Sequence, residues 1–156
     1  MKQNPPIKRS KPLIPLSHDH YQGLIAVRRI REGLTRAIHP GRIVAYVRDF
    51  WDRELARHFS DEEILVFSML PESDELMQRA MTEHGQLQAY MERLEDPGVL
   101  AGFATLLEAH IRFEERTLFP HIEQTASPEQ MEQAGTRLQH QYAEGAACWS
   151  DAFWKE

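Results

Sequence analysis

Three breaks cut this chain into long stretches of helical period, and that division constrains the fold more than any other feature. His39-Pro40-Gly41, Pro71 and Asp96-Pro97-Gly98 each carry residues that do not extend a helix. Before the first break, Leu24, Val27, Ile30, Arg31 and Leu34 recur at spacings of three and four. That pattern predicts a helix ending near Ala37, which Ser17 or Asp19 can cap. A second helix is expected from about Arg42 to Leu70, with Ile43, Val47, Phe50, Trp51, Leu55, Phe59, Val66 and Met69 as its apolar positions. The third starts at Ser73 to Glu75 and turns Leu76, Met77, Ala80, Leu87, Met91 and Leu94 inward. The fourth runs from about Val99 to Gln124, and Pro120 inside it should kink or locally unwind it. Ser127-Pro128-Glu129-Gln130 reads as an N-cap, an N1 proline and a capping-box glutamine for a shorter fifth helix to about Ala143. No stretch alternates with period two long enough for a strand, so the chain is expected to be all-α. Short connections force neighbours to run antiparallel. The expected architecture is therefore an up-down-up-down four-helix bundle with a short fifth C-terminal helix.

The ends differ from this body. Residues 1–16 hold four prolines and four cations (Lys2, Lys8, Arg9 and Lys11) with no acid, and read as an extended basic N-terminal arm. Residues 17–145 form the helical domain. Residues 146–156 form an aromatic C-terminal tail with Trp149, Phe153 and Trp154, to be covered by the bundle's flank or a second subunit. Eighteen Lys and Arg against twenty-four Asp and Glu leave a net charge of −6, so the body without its basic arm carries −10. Such a body is no nucleic-acid binder, which would show a basic stripe. The longest apolar run, Ile43 to Val47, is five residues, too short for a membrane span or a signal peptide. Cys148 is the sole cysteine, as expected of a reducing cytoplasm.

Eight histidines are many for a chain of 156 residues, and four of them share one depth. His58 lies thirteen residues before Pro71 and His84 thirteen after it; His84 lies thirteen before Pro97 and His110 thirteen after it. His20 and His58 sit at nearly equal offsets on either side of the first break. Antiparallel helices rise equally per residue, so equal offsets mean equal height. Each of the four also stands among apolar residues: Leu24 near His20, Leu55 and Phe59 near His58, Leu87 near His84, Leu106 and Leu107 before His110. Four imidazoles in an apolar layer need partners for their nitrogens, either hydrogen-bonding side chains or a metal. Glu62 and Glu114 follow His58 and His110 by four residues and so share their helix faces. They lie on the second and fourth helices, which descend from one end, so the two carboxylates can meet and bridge two ions. Glu63 and Glu115 are the rival ligands, five residues on from the same histidines. Four histidines and two glutamates exceed what one tetrahedral zinc takes and suit a pair of mid-row ions with an open position.

LSHDHYQGL (Leu16–Leu24), HFSDEEILVF (His58–Phe67), EHGQL (Glu83–Leu87) and HIRFEERTLFP (His110–Pro120) resemble the ligand segments of hemerythrin-like, or HHE cation-binding, domains. The resemblance covers residues 16 to about 140. It implies a four-helix bundle around a non-haem di-iron centre, two iron ions bridged by two carboxylates and an oxo or hydroxo group. Zinc and manganese are substitutes for iron. Carried over position by position, it implies His20, His58, Glu62, His84, His110 and Glu114 as the metal ligands. The oxygen-carrying hemerythrins are similar but place a further histidine four residues after the third-helix one, where this chain has Gln88. One histidine fewer leaves an extra coordination position and favours sensing or redox chemistry over oxygen carriage. No histidine has Glu three residues before it, so the Glu-x-x-His pattern of ferritin-like enzymes is lacking.

The expected function is a di-iron protein that binds or senses a small ligand, namely dioxygen, nitric oxide, peroxide or iron itself. The alternatives are an enzyme acting on peroxide or nitric oxide, or donating iron for iron–sulfur repair, and a helical interaction protein stapled by its metal. Neither a nucleic-acid nor a membrane partner is expected, and a homodimer is compatible with the aromatic tail. His18 should point away from the site, and His39, His121 and His140 should be exposed or capping. Gln88 is placed to hydrogen-bond a metal-bound water, and Tyr21, Tyr46 and Tyr90 are candidate donors around the site, with packing as their default role.

Overall fold

The computed structural model describes residues 8–140 and 149–156, with His140 described in its backbone only. Among the described residues every regular element is helical. Helix α1 is Ile14–Thr35. Helix α2 is continuous over residues 40–69 but changes winding along its length, with wide π turns at Trp51–Leu55 and Glu62–Val66 and a tight last turn at Phe67–Met69. Helix α3 is Glu75–Met91. Helix α4 spans residues 99–125 with one wide turn at Glu114–Leu118, and α5 is Pro128–His140.

The breaks act as their chemistry requires. The His39 ring accepts a hydrogen bond from the Gly41 N–H, and Pro40 follows as the first residue of α2. Asp74 caps α3 by accepting from the Met77 N–H at 3.0 Å. Gly98 precedes α4 at φ +82°, a left-handed conformation that glycine adopts without strain. Ser127 and Gln130 form the reciprocal capping box of α5, with bonds of 3.2 and 3.0 Å. The expected end of this helix near Ala143 lies outside the described residues.

The start of α1 departs from expectation. Neither Ser17 nor Asp19 caps it. A short turn at Lys11–Leu13 leads into a helix beginning at Ile14. Pro12 and Pro15 fall in the opening positions of these two elements, where a missing N–H costs nothing because the first turn has no acceptor for it. Continuing the helix backwards buries Leu13 and Leu16 completely against a cluster that includes Phe119, Ile122 and Leu138. Burying two leucines is worth roughly 1.5–3 kcal/mol each, more than a single cap.

The inner face of α1 also differs. Arg31 and Leu34 are exposed, and Gly23, Ala26 and Gly33 are buried instead. A Cβ on Gly23 would stand 2.7 Å from Ile111 Cδ1, and one on Gly33 2.8 Å from Phe153 Cε2. Small residues here let α1 approach α4 and the C-terminal tail closely. That tail is docked on the bundle. Phe153 is fully buried, Arg42 grips Asp151 and Glu156 at 2.6 and 2.7 Å, and the Arg29 guanidinium lies 4.0 Å from the centre of a Trp154 ring.

Candidate metal centre

The six side chains expected to be ligands all turn into the interior at one level. His20 comes from α1, His58 and Glu62 from α2, His84 from α3, His110 and Glu114 from α4, and none is more than 5 % exposed. Their ligand atoms form two overlapping groups whose members lie within 4.8 Å of one another: His20, His58, Glu62 and Glu114, and Glu62, His84, His110 and Glu114. The two glutamates are common to both. Glu62 Oε1 is 3.1 Å from His58 Nε2 and 3.3 Å from His84 Nε2, while Glu62 Oε2 is 3.8 Å from His20 Nε2. Glu114 Oε1 contacts His110 Nε2 and lies 3.7 Å from His20 Nε2 and 4.0 Å from His84 Nε2.

The four Nε2 atoms and the four carboxylate oxygens of Glu62 and Glu114 are buried and have no hydrogen-bond partner. Leaving one such group unsatisfied costs about 1–3 kcal/mol, and eight of them converging on one small volume are a poor structural layer. They form a good cage for cations, with two imidazoles and two shared carboxylates facing each of two positions. A purely hydrogen-bonded polar layer would align these atoms on one another or on further side chains. Here the inner imidazoles and carboxylates approach as ion pairs, at 3.1 and 3.3 Å for Glu62 with His58 and His84, without that alignment.

The outer nitrogens, by contrast, are all engaged. His58 Nδ1 meets Asp19 Oδ2 at 2.8 Å, His84 Nδ1 meets Glu63 at 3.4 Å, His110 Nδ1 meets Glu83 at 2.8 Å, and His20 Nδ1 meets Glu115 at 2.9 Å. The carboxylates form a closed ring, with α1 supporting α2, α2 supporting α3, α3 supporting α4, and α4 supporting α1. With the imidazole neutral, Nδ1–H donates to the carboxylate and leaves the Nε2 lone pair directed inward, which is how metal-binding histidines are oriented. Each acceptor stands next in sequence to an inward residue (Asp19 beside His20, Glu63 beside Glu62, Glu83 beside His84, Glu115 beside Glu114). Consecutive helical residues are about 100° apart, so the neighbour of an inward residue points along the flank to the adjoining helix. Glu63 and Glu115 thus occupy outer positions, and the inner carboxylates are those of Glu62 and Glu114. Sequence reasoning took Asp19 only as a helix cap and gave Glu83 no role. Their adjacency to His20 and His84 is the signal that could have found them.

Without a cation between them these groups hold protons strongly. Burial pulls His58, His84 and His110 down, but the carboxylates facing each ring outweigh it and lift them to about 10, about 11 and about 9. His20 is raised in the same way, by Glu114 and Glu115 against its own burial. Burial favours a protonated Glu114, but His110 and its other partners hold its carboxyl well below the usual carboxylate range.

The second wide turn of α2 and the wide turn of α4 begin at Glu62 and Glu114, whose carbonyls accept from the N–H groups of Phe67 and Phe119, five residues on. Each inserted residue advances the register of the remaining helix, a device common at functional sites. Beyond these turns the Phe67 ring stacks on His84 at 5.6 Å and the Phe119 ring stacks on His20 at 5.2 Å. Phe59 covers His84 at 4.1 Å. The disturbance expected at Pro120 is therefore a widened turn just before the proline.

The remaining candidates lie elsewhere. Gln88 is exposed, and fully buried Leu87 takes the inward position beyond His84, so Gln88 is not placed to bond a metal-bound water. The cause is the helical angle, since three residues on from His84 lies nearer the bundle axis here than four. Tyr21 is 60 % exposed, Tyr46 packs among Phe50, Phe153 and Trp154, and Tyr90 packs on Gly102. His18 is exposed, and His121 pairs with Asp74 at 2.5 Å.

Residues 13–122 match the family model described as the hemerythrin HHE cation binding domain. No curated protein and no solved structure matches the chain. No helix among the described residues is long and apolar enough to cross a membrane.

Proposed function

Because this chain belongs to the hemerythrin HHE cation-binding domain family, we propose that it holds two iron ions between His20, His58, Glu62, His84, His110 and Glu114 and uses them to bind or sense a small ligand. The observation that carries this is the set of eight buried ligand atoms around one volume that lack a hydrogen-bond partner, backed by four carboxylates on the outer nitrogens. His20 and His58 serve one ion and His84 and His110 the other, with Glu62 and Glu114 shared, in helices that alternate in direction. Iron supplies the redox and ligand-binding chemistry, and manganese or zinc are substitutes with the same donor preference.

The chain's own groups set the terms for that chemistry. Two inner carboxylates neutralise half the charge of two divalent ions, and the four outer ones, Asp19, Glu63, Glu83 and Glu115, more than cover the remainder, offset in part by Arg9, Arg57 and Arg79 beside them. Six protein ligands leave coordination positions open on mid-row ions. The α3 helix gives only His84 to the centre, because Gln88 points to solvent. Phe59, Phe67 and Phe119 stack on His84 and His20, and the six ligands are almost wholly buried, which favours a small ligand such as dioxygen or nitric oxide. The sole cysteine, Cys148, fits a reducing cytoplasm.

The test is a metal count per chain on protein purified from its native host, with an optical spectrum before and after reduction. Two irons per chain with near-ultraviolet absorption that changes on adding nitric oxide are expected. Protein that carries no metal, and takes up none when offered ferrous iron without oxygen, would overturn the proposal.

A further inference from the structure

The N-terminal strap reaches the centre from outside the family domain. The family match begins at residue 13, yet Arg9 is buried, its side chain only 6 % exposed. Its Nη2 donates to Glu115 Oε2 at 2.8 Å and to the Glu115 carbonyl at 2.5 Å, and its Nη1 pairs with Glu123. The Ser10 N–H donates to the other oxygen of Glu123 at 2.7 Å, which anchors the strap. The guanidinium carbon lies 5.1 Å from the centre of the Phe119 ring.

Both surfaces that Arg9 grips are surfaces that hold His20. Glu115 Oε1 bonds His20 Nδ1, and Phe119 stacks on the same imidazole at an angle of 16°. The carbonyl contact has its own cause. In the wide turn the Phe119 N–H goes to Glu114 instead of Glu115, and Pro120 has no N–H to offer in its place. The Glu115 carbonyl is therefore left to Arg9, whose planar fork reaches a carbonyl and a carboxylate of one residue together. The corresponding arginines on the ring are looser. Arg57 stands 3.7 Å from Asp19 with its side chain 33 % exposed, and Arg79 stands 3.3 Å from Glu83 with its side chain 55 % exposed.

We propose that Arg9 is a positioning residue for the metal centre, which clamps Glu115 and Phe119, fixes the His20 imidazole, and so slows the loss of the one ion that His20 holds. The inference rests on the six-ligand assignment and adds a difference between the two ions, since the strap touches the supports of His20 alone among the four histidines. Releasing the strap would then loosen one ion before the other.

Two measurements on the full chain separate this from the assignment beneath it. In metal-free protein, imidazole nitrogen NMR compares wild type with Arg9→Ala and Arg9→Lys. The His20 Nδ1–H signal should shift or broaden in Arg9→Ala while those of His58, His84 and His110 stay in place. Arg9→Lys keeps the charge without the fork and should move the same signal less. It also serves as the working variant if Arg9→Ala does not fold. An unmoved His20 signal in a folded variant, or equal movement of all four, would overturn the proposal. In cobalt(II)-loaded protein challenged with EDTA, one of two release phases should quicken by roughly three- to tenfold in Arg9→Ala, less than the roughly 10–100-fold for loss of a direct outer partner because Arg9 acts through Glu115 and Phe119. Two unchanged phases would overturn the proposal with the metal assignment intact. Wild-type protein that binds no cobalt or iron would overturn both.

Discussion

Loading the centre with metal should expel protons, and their number tests the electrostatics directly. At pH 7 the metal-free imidazoles of His58, His84 and His110, lifted to about 10, about 11 and about 9, are cations, and His20 is raised beside them. A metal needs the neutral ring, so each must give up its proton on binding. Two ions should therefore displace at least three protons, and His20 adds to that number. Imidazoles at the ordinary value near 6.5 would be only about one-quarter protonated at pH 7 and would release about one proton in total. Three protons already make occupancy steep. Each unit of acidification weakens two-ion loading by at least about 10³, or roughly 4 kcal/mol at 1.36 kcal/mol per proton and pH unit. The assay is anaerobic titration with manganese(II) or iron(II) by calorimetry in buffers of different ionisation enthalpy, checked by direct pH-stat. Release of one proton or fewer would show that the buried carboxylates do not charge these rings, and the account of the metal-free centre would fail.

The same shifts give the metal-free protein a pH dependence. Raised imidazoles contribute stability fully below the unfolded value near 6.5 and lose it progressively as pH rises from there through the folded values, so urea midpoints should fall from about pH 6.5 and level off by about pH 11. Glu62→Gln and Glu114→Gln each remove an oxygen ligand shared by both groups and should lower the metal count. Glu63→Gln and Glu115→Gln should keep the count and weaken affinity about 10–100-fold, as read by competition with a chelator. Ala37 ends α1 at φ +55°, with the Ile38 N–H on the Gly33 carbonyl and the Ala37 N–H on the Leu34 carbonyl. Ala37→Gly should relieve that left-handed strain and stabilise the fold by about 1 kcal/mol, a rise in Tm of roughly 2–4 °C by calorimetry.

The amino-acid order alone determined where helices break and how deep each histidine lies. Proline, glycine and capping residues act locally, and a helix advances by a constant rise per residue. Pro71 and the Asp96-Pro97-Gly98 break were enough to bring His58, His84 and His110 to one height, and His20 followed from the first break. Rotation about each helix axis is another matter, because it depends on which faces pack and on local changes of winding. The sequence favoured Glu62 over Glu63 and Glu114 over Glu115 by spacing and resemblance, but only the tertiary structure gave the second glutamate of each pair a partner, the histidine of a neighbouring helix. Gln88 and Leu34 turned outward for the same reason, while Gly23 and Gly33 turned in to let helices close up. The start of α1 was misplaced because Leu13 and Leu16 gain more from distant partners on α4 and α5 than a cap at Ser17 could offer. Arg9 and Pro120 show the limit most clearly. They are 111 positions apart, and nothing local links a missing N–H on one to a guanidinium on the other. Heights in a bundle are summed along the chain, but contacts between its faces exist only once the helices have met.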